Sequence, residues 1–254
     1  MRIIMLFVCF LALSNSCSNS SSNSTNDLGQ NSSRSRFAIL NNKMYSIDVN
    51  KVKVFDISQA GQPVSLYDLE LDYGLETIFI ENNFAYVGAR DGVYILDLTK
   101  PNEKITKTSK IEHQVACDPV VVKDNIAYST QNAAAYCKPL FSTSTVRRRD
   151  LSILAVYDVT DSKAPQLLQE IPMFTPYGLG IKNDRLYVCD EAGLFVFNIS
   201  EPKKTVTEVE RLSVPSPRDI IIHNDLLIVI AKKSYELYNC SNPNALQFLG
   251  HVTK

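Results

Sequence analysis

The chain is predicted to fold as an all-β, five-bladed β-propeller of four-stranded antiparallel blades, and two observations carry that expectation. First, one pattern returns five times: a short apolar run, an Asn/Asp turn, a second run closing on Tyr or a similar residue, and a strand ending on Asp/Asn-Ile/Val-Ser/Thr. Its turn anchors, Asn42, Asn83, Asp124, Asp184 and Asp225, are 41, 41, 60 and 41 residues apart. A fixed period near 40 residues marks stacked units, none of which can bury its own faces alone. Second, each unit holds four runs of roughly 4 to 8 residues, rich in Val, Ile, Leu, Tyr and Phe and bounded by turn residues, with no long helical period between them.

Taken from the N-terminus, residues 1–16 read as a signal peptide. One positive charge at Arg2 precedes the apolar run Ile3 to Leu13, which is too short to span a bilayer. Residues 17–35 form a Ser/Asn-rich stretch suited to a flexible tether. The region resembles a bacterial lipoprotein signal, with Cys17 as the lipid-bearing first residue of the mature chain. Ser14 stands where such signals carry Leu, and Ser14-Asn-Ser16 also satisfies ordinary secretory cleavage, so both processing routes stay open.

Residues 36–254 make up the propeller. In the fourth unit the strands read Leu179 to Lys182, Arg185 to Asp190, Gly193 to Ile199 and Val206 to Leu212. The turns at Asn183-Asp184 and Glu191 to Gly193 suit hairpins, because Asn, Asp and Gly tolerate the backbone such turns require. Pro101, Pro202 and Pro243 follow the third strand in three units and lack an amide hydrogen, which places them in loops. The fifth unit keeps a fourth strand, Leu246 to Val252, so the count closes on a ring whose blades shield one another's faces.

The segment Arg185 to Pro202, with its Gly-Leu-x-Val-x-Asn-Ile-Ser core, resembles the LVIVD repeat of bacterial propeller-like surface proteins, often lipid-anchored. All five units fit it, most loosely the fifth, where Ser234 to Cys240 replaces the usual run. The resemblance implies a fold and a cell-envelope location, with the outer membrane or cell surface as the address, and brings no reaction, catalytic residue or cofactor.

The net charge of -1 argues against a nucleic-acid partner, which needs a basic face. Lys100 to Lys110 reads as a solvated blade edge. Cys117, Cys137, Cys189 and Cys240 allow up to two bridges; strand direction puts the first three on the top face and Cys240 at the bottom. Cys117 and Cys137 share a blade and are the leading disulfide pair, with buried free thiols as the alternative. His113, His223 and His251 are scattered, and no His lies near a Cys in sequence, so a zinc site has weak support. No nucleophile triad or phosphate loop is visible.

Aligning the copies exposes one non-repetitive ring where the innermost strands begin. Seven and six residues before each anchor stand Ser35 and Arg36, Glu76 and Thr77, Cys117 and Asp118, Tyr177 and Gly178, and Arg218 and Asp219. This mixture suits either a water-filled channel with compensating charges or a polar ligand site. The 60-residue spacing adds 19 residues at about 131–151 in blade three, on the same face, with Tyr136, Phe141 and the cations Arg147, Arg148 and Arg149. Such a loop is either functional or disordered.

The candidate ligand-binding set is therefore Glu76, Asp118, Tyr177, Arg218, Asp219, Arg147, Arg148 and Arg149. Two functions are compatible with it: a non-enzymatic, monomeric, lipid-anchored scaffold that binds an envelope protein, peptide or glycan, or an envelope glycan hydrolase or lyase using Glu76, Asp118 or Asp219. The discriminating observation is whether the channel mouth is a deep cleft with paired carboxylates or a shallow, plugged one.

Overall fold

The computed structural model describes residues 33–72, 74–113, 119–132 and 152–254. The expected signal peptide at 1–16, Cys17, Cys117, Asp118, Cys137 and Arg147 to Arg149 lie outside the described residues.

Among the described residues twenty strands form five four-stranded antiparallel sheets, each built from consecutive strands. Blade one holds β1 (Phe37–Leu40), β2 (Lys43–Ile47), β3 (Lys51–Asp56) and β4 (Val64–Glu70); blade two holds β5 (Leu75–Glu81), β6 (Phe84–Ala89), β7 (Gly92–Asp97) and β8 (Thr106–Glu112). Blade three holds β9 (Val120–Lys123), β10 (Ile126–Gln131), β11 (Ile153–Asp158) and β12 (Gln166–Pro172). Blade four holds β13 (Pro176–Lys182), β14 (Arg185–Asp190), β15 (Gly193–Asn198) and β16 (Thr207–Leu212). Blade five holds β17 (Pro217–His223), β18 (Leu226–Ala231), β19 (Ser234–Asn239) and β20 (Gln247–Thr253). This is the five-bladed propeller that the repeat predicts.

The repeat residues are the joints of one local device used five times. In blades one to three both residues of the turn after the inner strand take left-handed backbone, with φ of 50° and 58° at Asn41 and Asn42, 48° and 60° at Asn82 and Asn83, and 53° and 61° at Asp124 and Asn125; in blades four and five the first residue does, at 52° for both Asn183 and Asn224. In every blade the second turn residue then accepts the amide that follows the third strand: Ile57 to Asn42, Leu98 to Asn83, Val159 to Asn125, Ile199 to Asp184 and Cys240 to Asp225. The Asp/Asn-x-Ser/Thr ending is an Asx turn, in which the side-chain oxygens of Asp56, Asp97, Asp158, Asn198 and Asn239 accept the amides of Ser58, Thr99, Thr160, Ser200 and Ser241. A β-bulge recurs at one register position between the third and fourth strands, from Val54/Phe55 to Leu237/Tyr238.

These joints correct one alignment. Blade three turns on Asp124 and Asn125, so its second turn residue is Asn125, one later than the anchor taken from the sequence. Pro119 rather than Asp118 therefore shares a register position with Thr77, Gly178 and Asp219.

Neighbouring blades meet through apolar clusters. Ala38, Tyr45 and Val54 of blade one pack on Ile78, Tyr94 and Leu96 of blade two; Tyr86 and Ile95 pack on Ala127 and Tyr157 of blade three. Tyr128 and Val156 pack on Phe195 and Phe197 of blade four, and Tyr187 and Val196 on Ile220 and Tyr238 of blade five. Each junction removes two sheet faces from water, the main stabilising term here. Polar contacts add register: Gln169 exchanges two hydrogen bonds with the backbone of Val206, and Lys43 donates to the Pro101 carbonyl.

Candidate functional site

The top of the channel is the end at which β1, β5, β9, β13 and β17 begin. Its centre is occupied by the chain itself. Ser33 is buried at 2% exposure; its hydroxyl accepts the Leu179 amide of blade four at 2.8 Å and donates to Asp219 Oδ1 of blade five at 3.4 Å. Two residues later the Ser35 carbonyl accepts the Ile78 amide of blade two at 2.9 Å, and the Arg36 carbonyl accepts Ile47 of blade one. Inner strands of a propeller present unpaired amides to the channel, and this strap satisfies two of them. Ser33 and Ser35 belong, by sequence, to the end of the Ser/Asn-rich stretch, so the strap was not legible there.

Blades four and five come closest. A Cβ added at Gly178 would lie 2.2 Å from Asp219 Oδ1 and 2.8 Å from Asp219 Cα, so glycine permits the approach. Beside it the Arg218 guanidinium lies over the Tyr177 ring, 4.0 Å from its centroid, and the Tyr177 hydroxyl reaches Glu191 at 3.4 Å. The Tyr177 carbonyl accepts Thr130 Oγ1 at 2.6 Å and Asn132 Nδ2 donates to the Pro176 carbonyl at 2.9 Å, which fixes the start of β13 against blade three.

Glu76 lies apart from this pair. Its carboxylate is 3.8 Å from Arg90 Nε, and burial raises its pKa although Arg90, Arg34 and Arg36 pull the other way. Burial, reinforced by Asp219, pushes the Cys189 thiol well up, with Arg218 and Arg34 opposing. Cys189 thus sits beneath the mouth, as strand direction implies; Cys240 lies at the bottom near Lys182 and Asp225, and both are free, buried thiols.

Of the sequence-predicted residues, Tyr177, Arg218 and Asp219 are therefore brought together, with Glu76 on the blade-two side among arginines. Ser33, Arg34, Arg90, Glu191 and Thr130 join them without any signal in the repeat alignment. Among the described residues no group of three His, Cys, Asp or Glu side chains is placed to hold a metal ion.

No family model and no curated protein matches the chain. Solved structures do. A protein of unknown function from Desulfotomaculum acetoxidans matches with a TM-score of 0.66 at 12% identity, over 89% of this chain and 71% of that one. Proteins described as 6-phosphogluconolactonase candidates match similarly. The one from Bacteroides fragilis has a TM-score of 0.64 at 12% identity, over 85% of this chain and 69% of that one. That from Bacteroides uniformis has a TM-score of 0.66 at 10% identity, over 85% and 70%. At such identity the likeness establishes the propeller fold alone, and the resemblance to LVIVD proteins rests on the repeat residues.

Proposed function

We propose that the protein is a non-enzymatic binding scaffold of the bacterial cell envelope, held to a membrane by lipid on Cys17, whose top face captures an anionic group on an envelope protein, peptide or glycan. The observation that carries this reading is the strap: Ser33 and Ser35 tie the chain to blades two, four and five across the mouth, where an enzyme would need an open cleft. The carboxylates there are already engaged, Asp219 by Ser33 and Glu76 by Arg90. Beside them the half-buried Arg218 guanidinium lies over Tyr177, 4.0 Å from the ring centroid, and its planar fork suits carboxylate, sulfate or phosphate. The insertion at about 131–151, with Arg147, Arg148 and Arg149, is expected from the sequence to project from the same face and lies outside the described residues.

Affinity capture from the envelope with the purified chain, repeated with Arg218→Ala, tests this. A partner retained by the native chain and lost with the variant supports the scaffold. Turnover of a phosphorylated sugar lactone, the chemistry attached to the Bacteroides neighbours, or cleavage of an envelope glycan would replace it with the enzyme reading. The anchor has its own test: the intact mass of membrane-extracted protein should show acyl groups on a chain beginning at Cys17, and Cys17→Ala should leave the membrane fraction.

A further inference from the structure

The chain enters the described structure at the centre of one face. Ser33, buried and bonded to blades four and five, lies over the mouth at which the inner strands begin, and Ser35 ties the chain that follows to blade two. Residues 18–32 separate Ser33 from Cys17, and covalent geometry limits that connection to about 55 Å. To reach the bottom face the chain would run about 20 Å from mouth to rim, across four strands at about 4.8 Å, and about 23 Å down a blade whose strands reach seven residues. That path consumes most of the reach. On the reading that Cys17 carries lipid, the top face is therefore the one nearest to the bilayer.

The loops of the top face carry what a membrane surface attracts. The turn between β18 and β19 is Lys232-Lys233, both exposed, and the Lys232 amide holds it to the Ser216 carbonyl at 3.0 Å. Arg36 is exposed on the strap. Among the described residues none of these three cations forms an ion pair. The carboxylates of the described top loops are engaged already: Asp48 by Lys53 at 2.7 Å, Asp72 and Asp91 by Lys110 at 3.6 and 2.6 Å, and Glu191 by the Tyr177 hydroxyl.

Two large apolar side chains stand exposed in the described loops, and both are on this face. Val49, 49% exposed, is in the turn between β2 and β3; Phe174, 43% exposed, is in the connection into β13. The backbone there is fixed, since the amides of Phe174 and Thr175 donate to Asp190 Oδ2 at 3.0 and 2.9 Å. The bottom face differs on both counts. Lys100, Lys203 and Lys204 are each paired with a carboxylate, and no described bottom loop exposes a large apolar side chain.

We propose that the top face is membrane-proximal and rests on a bilayer containing anionic phospholipid, with Arg36, Lys232 and Lys233 against headgroup phosphates and Val49 and Phe174 at the boundary with the acyl chains. Each cation held near an anionic surface raises partitioning about fivefold, so the face adds a second contact to the anchor and sets its orientation. The orientation rests on the lipid-anchored reading, and a partner captured by Arg218 must then be one presented at the membrane surface.

Co-sedimentation of the chain carrying Cys17→Ser with vesicles of phosphatidylcholine alone, or with about one third phosphatidylglycerol, tests the face without the anchor. The native face should bind the anionic vesicles at least about tenfold better than the neutral ones and lose that advantage between roughly 0.05 and 0.5 M salt. Lys232→Glu/Lys233→Glu should weaken binding at least about tenfold with the melting temperature nearly unchanged, and Phe174→Ser about threefold. Lys163→Glu/Lys204→Glu, the same charge change on the bottom face, should leave binding within about twofold of native. No preference for anionic vesicles overturns the proposal, as does an equal loss from the bottom pair. Loss of protein capture in the top pair without any vesicle binding overturns it too, by making these loops a protein-docking surface. The assay lacks the Cys17 thiol, so its failure is distinct from failure of the anchor, which the acyl mass reports.

Discussion

The hydroxyl of Ser33 accepts the amide of Leu179 at 2.8 Å, joining residues 146 positions apart across the channel mouth. The same hydroxyl donates to Asp219, so one side chain ties the N-terminal strap to blades four and five. Ser33→Ala leaves a buried amide unpaired and should cost about 1 to 3 kcal/mol. Chemical denaturation should show a lower midpoint with an unchanged slope, and a midpoint equal to that of the native chain would mean that the strap is dispensable.

Arg218→Ala should abolish anion-dependent capture while leaving the melting temperature nearly unaltered, because the half-buried guanidinium packs on the Tyr177 ring and belongs to none of the apolar core clusters. Arg218→Lys should recover little of the binding, since an ammonium cannot reproduce the planar fork. Equal rescue by Lys would reduce the residue to a point charge.

Gly178→Ala should destabilise by about 1 to 3 kcal/mol, because the new Cβ would meet Asp219 Oδ1 at 2.2 Å and Asp219 Cα at 2.8 Å. Gly180→Ala, whose nearest neighbour would be the γ2 methyl of Ile220 at 3.0 Å, should be milder, since that contact is longer than either of those at Gly178. Thermal melts of the two variants side by side check the order.

Ser129 is 1% exposed and its hydroxyl has no hydrogen-bond partner. The same β10 position is Val87, Val188 and Val229 in blades two, four and five. Ser129→Val should therefore stabilise, by about 1 kcal/mol, by removing an unsatisfied polar group and restoring apolar contact. A lower melting temperature would show that the site cannot take the larger side chain.

The pH dependence has a defined window at each end. Burial pushes the phenols of Tyr45 and Tyr86 up to about 12, against about 10 when unfolded. Folding favours their neutral forms, so this contribution is intact below pH 10 and is lost as pH rises toward 12. At the acid end the Lys203 hydrogen bond, 2.6 Å across the junction of blades three and four, helps hold Asp158 at about 2. That contribution is present above the unfolded value near 4 and disappears as pH falls through 2. Phenolate absorbance should reveal a late-titrating class of tyrosines, and Lys203→Ala should move acid unfolding to higher pH.

The sequence by itself determined the blade. Turn residues, strand alternation and the Asp/Asn-x-Ser/Thr ending act over a few residues, so their chemistry is written locally and repeats with the 41-residue period. Even so, the repeat spacing points to Asp124, one residue before the true second turn position, because Asp and Asn serve equally well in either place and the hydrogen bond from Val159 to Asn125 is what distinguishes them. The tertiary structure decided everything that depends on which blades touch. Ser33 carries the same local signal as its Ser/Asn neighbours, and its role arises only when Leu179 and Asp219 are folded beneath it. Blade five is the case between: Tyr235 lies in the run Ser234 to Cys240 that fits the repeat most loosely, but that it is 39% exposed where Leu194 is buried depends on what the folded blades cover, which no local pattern records.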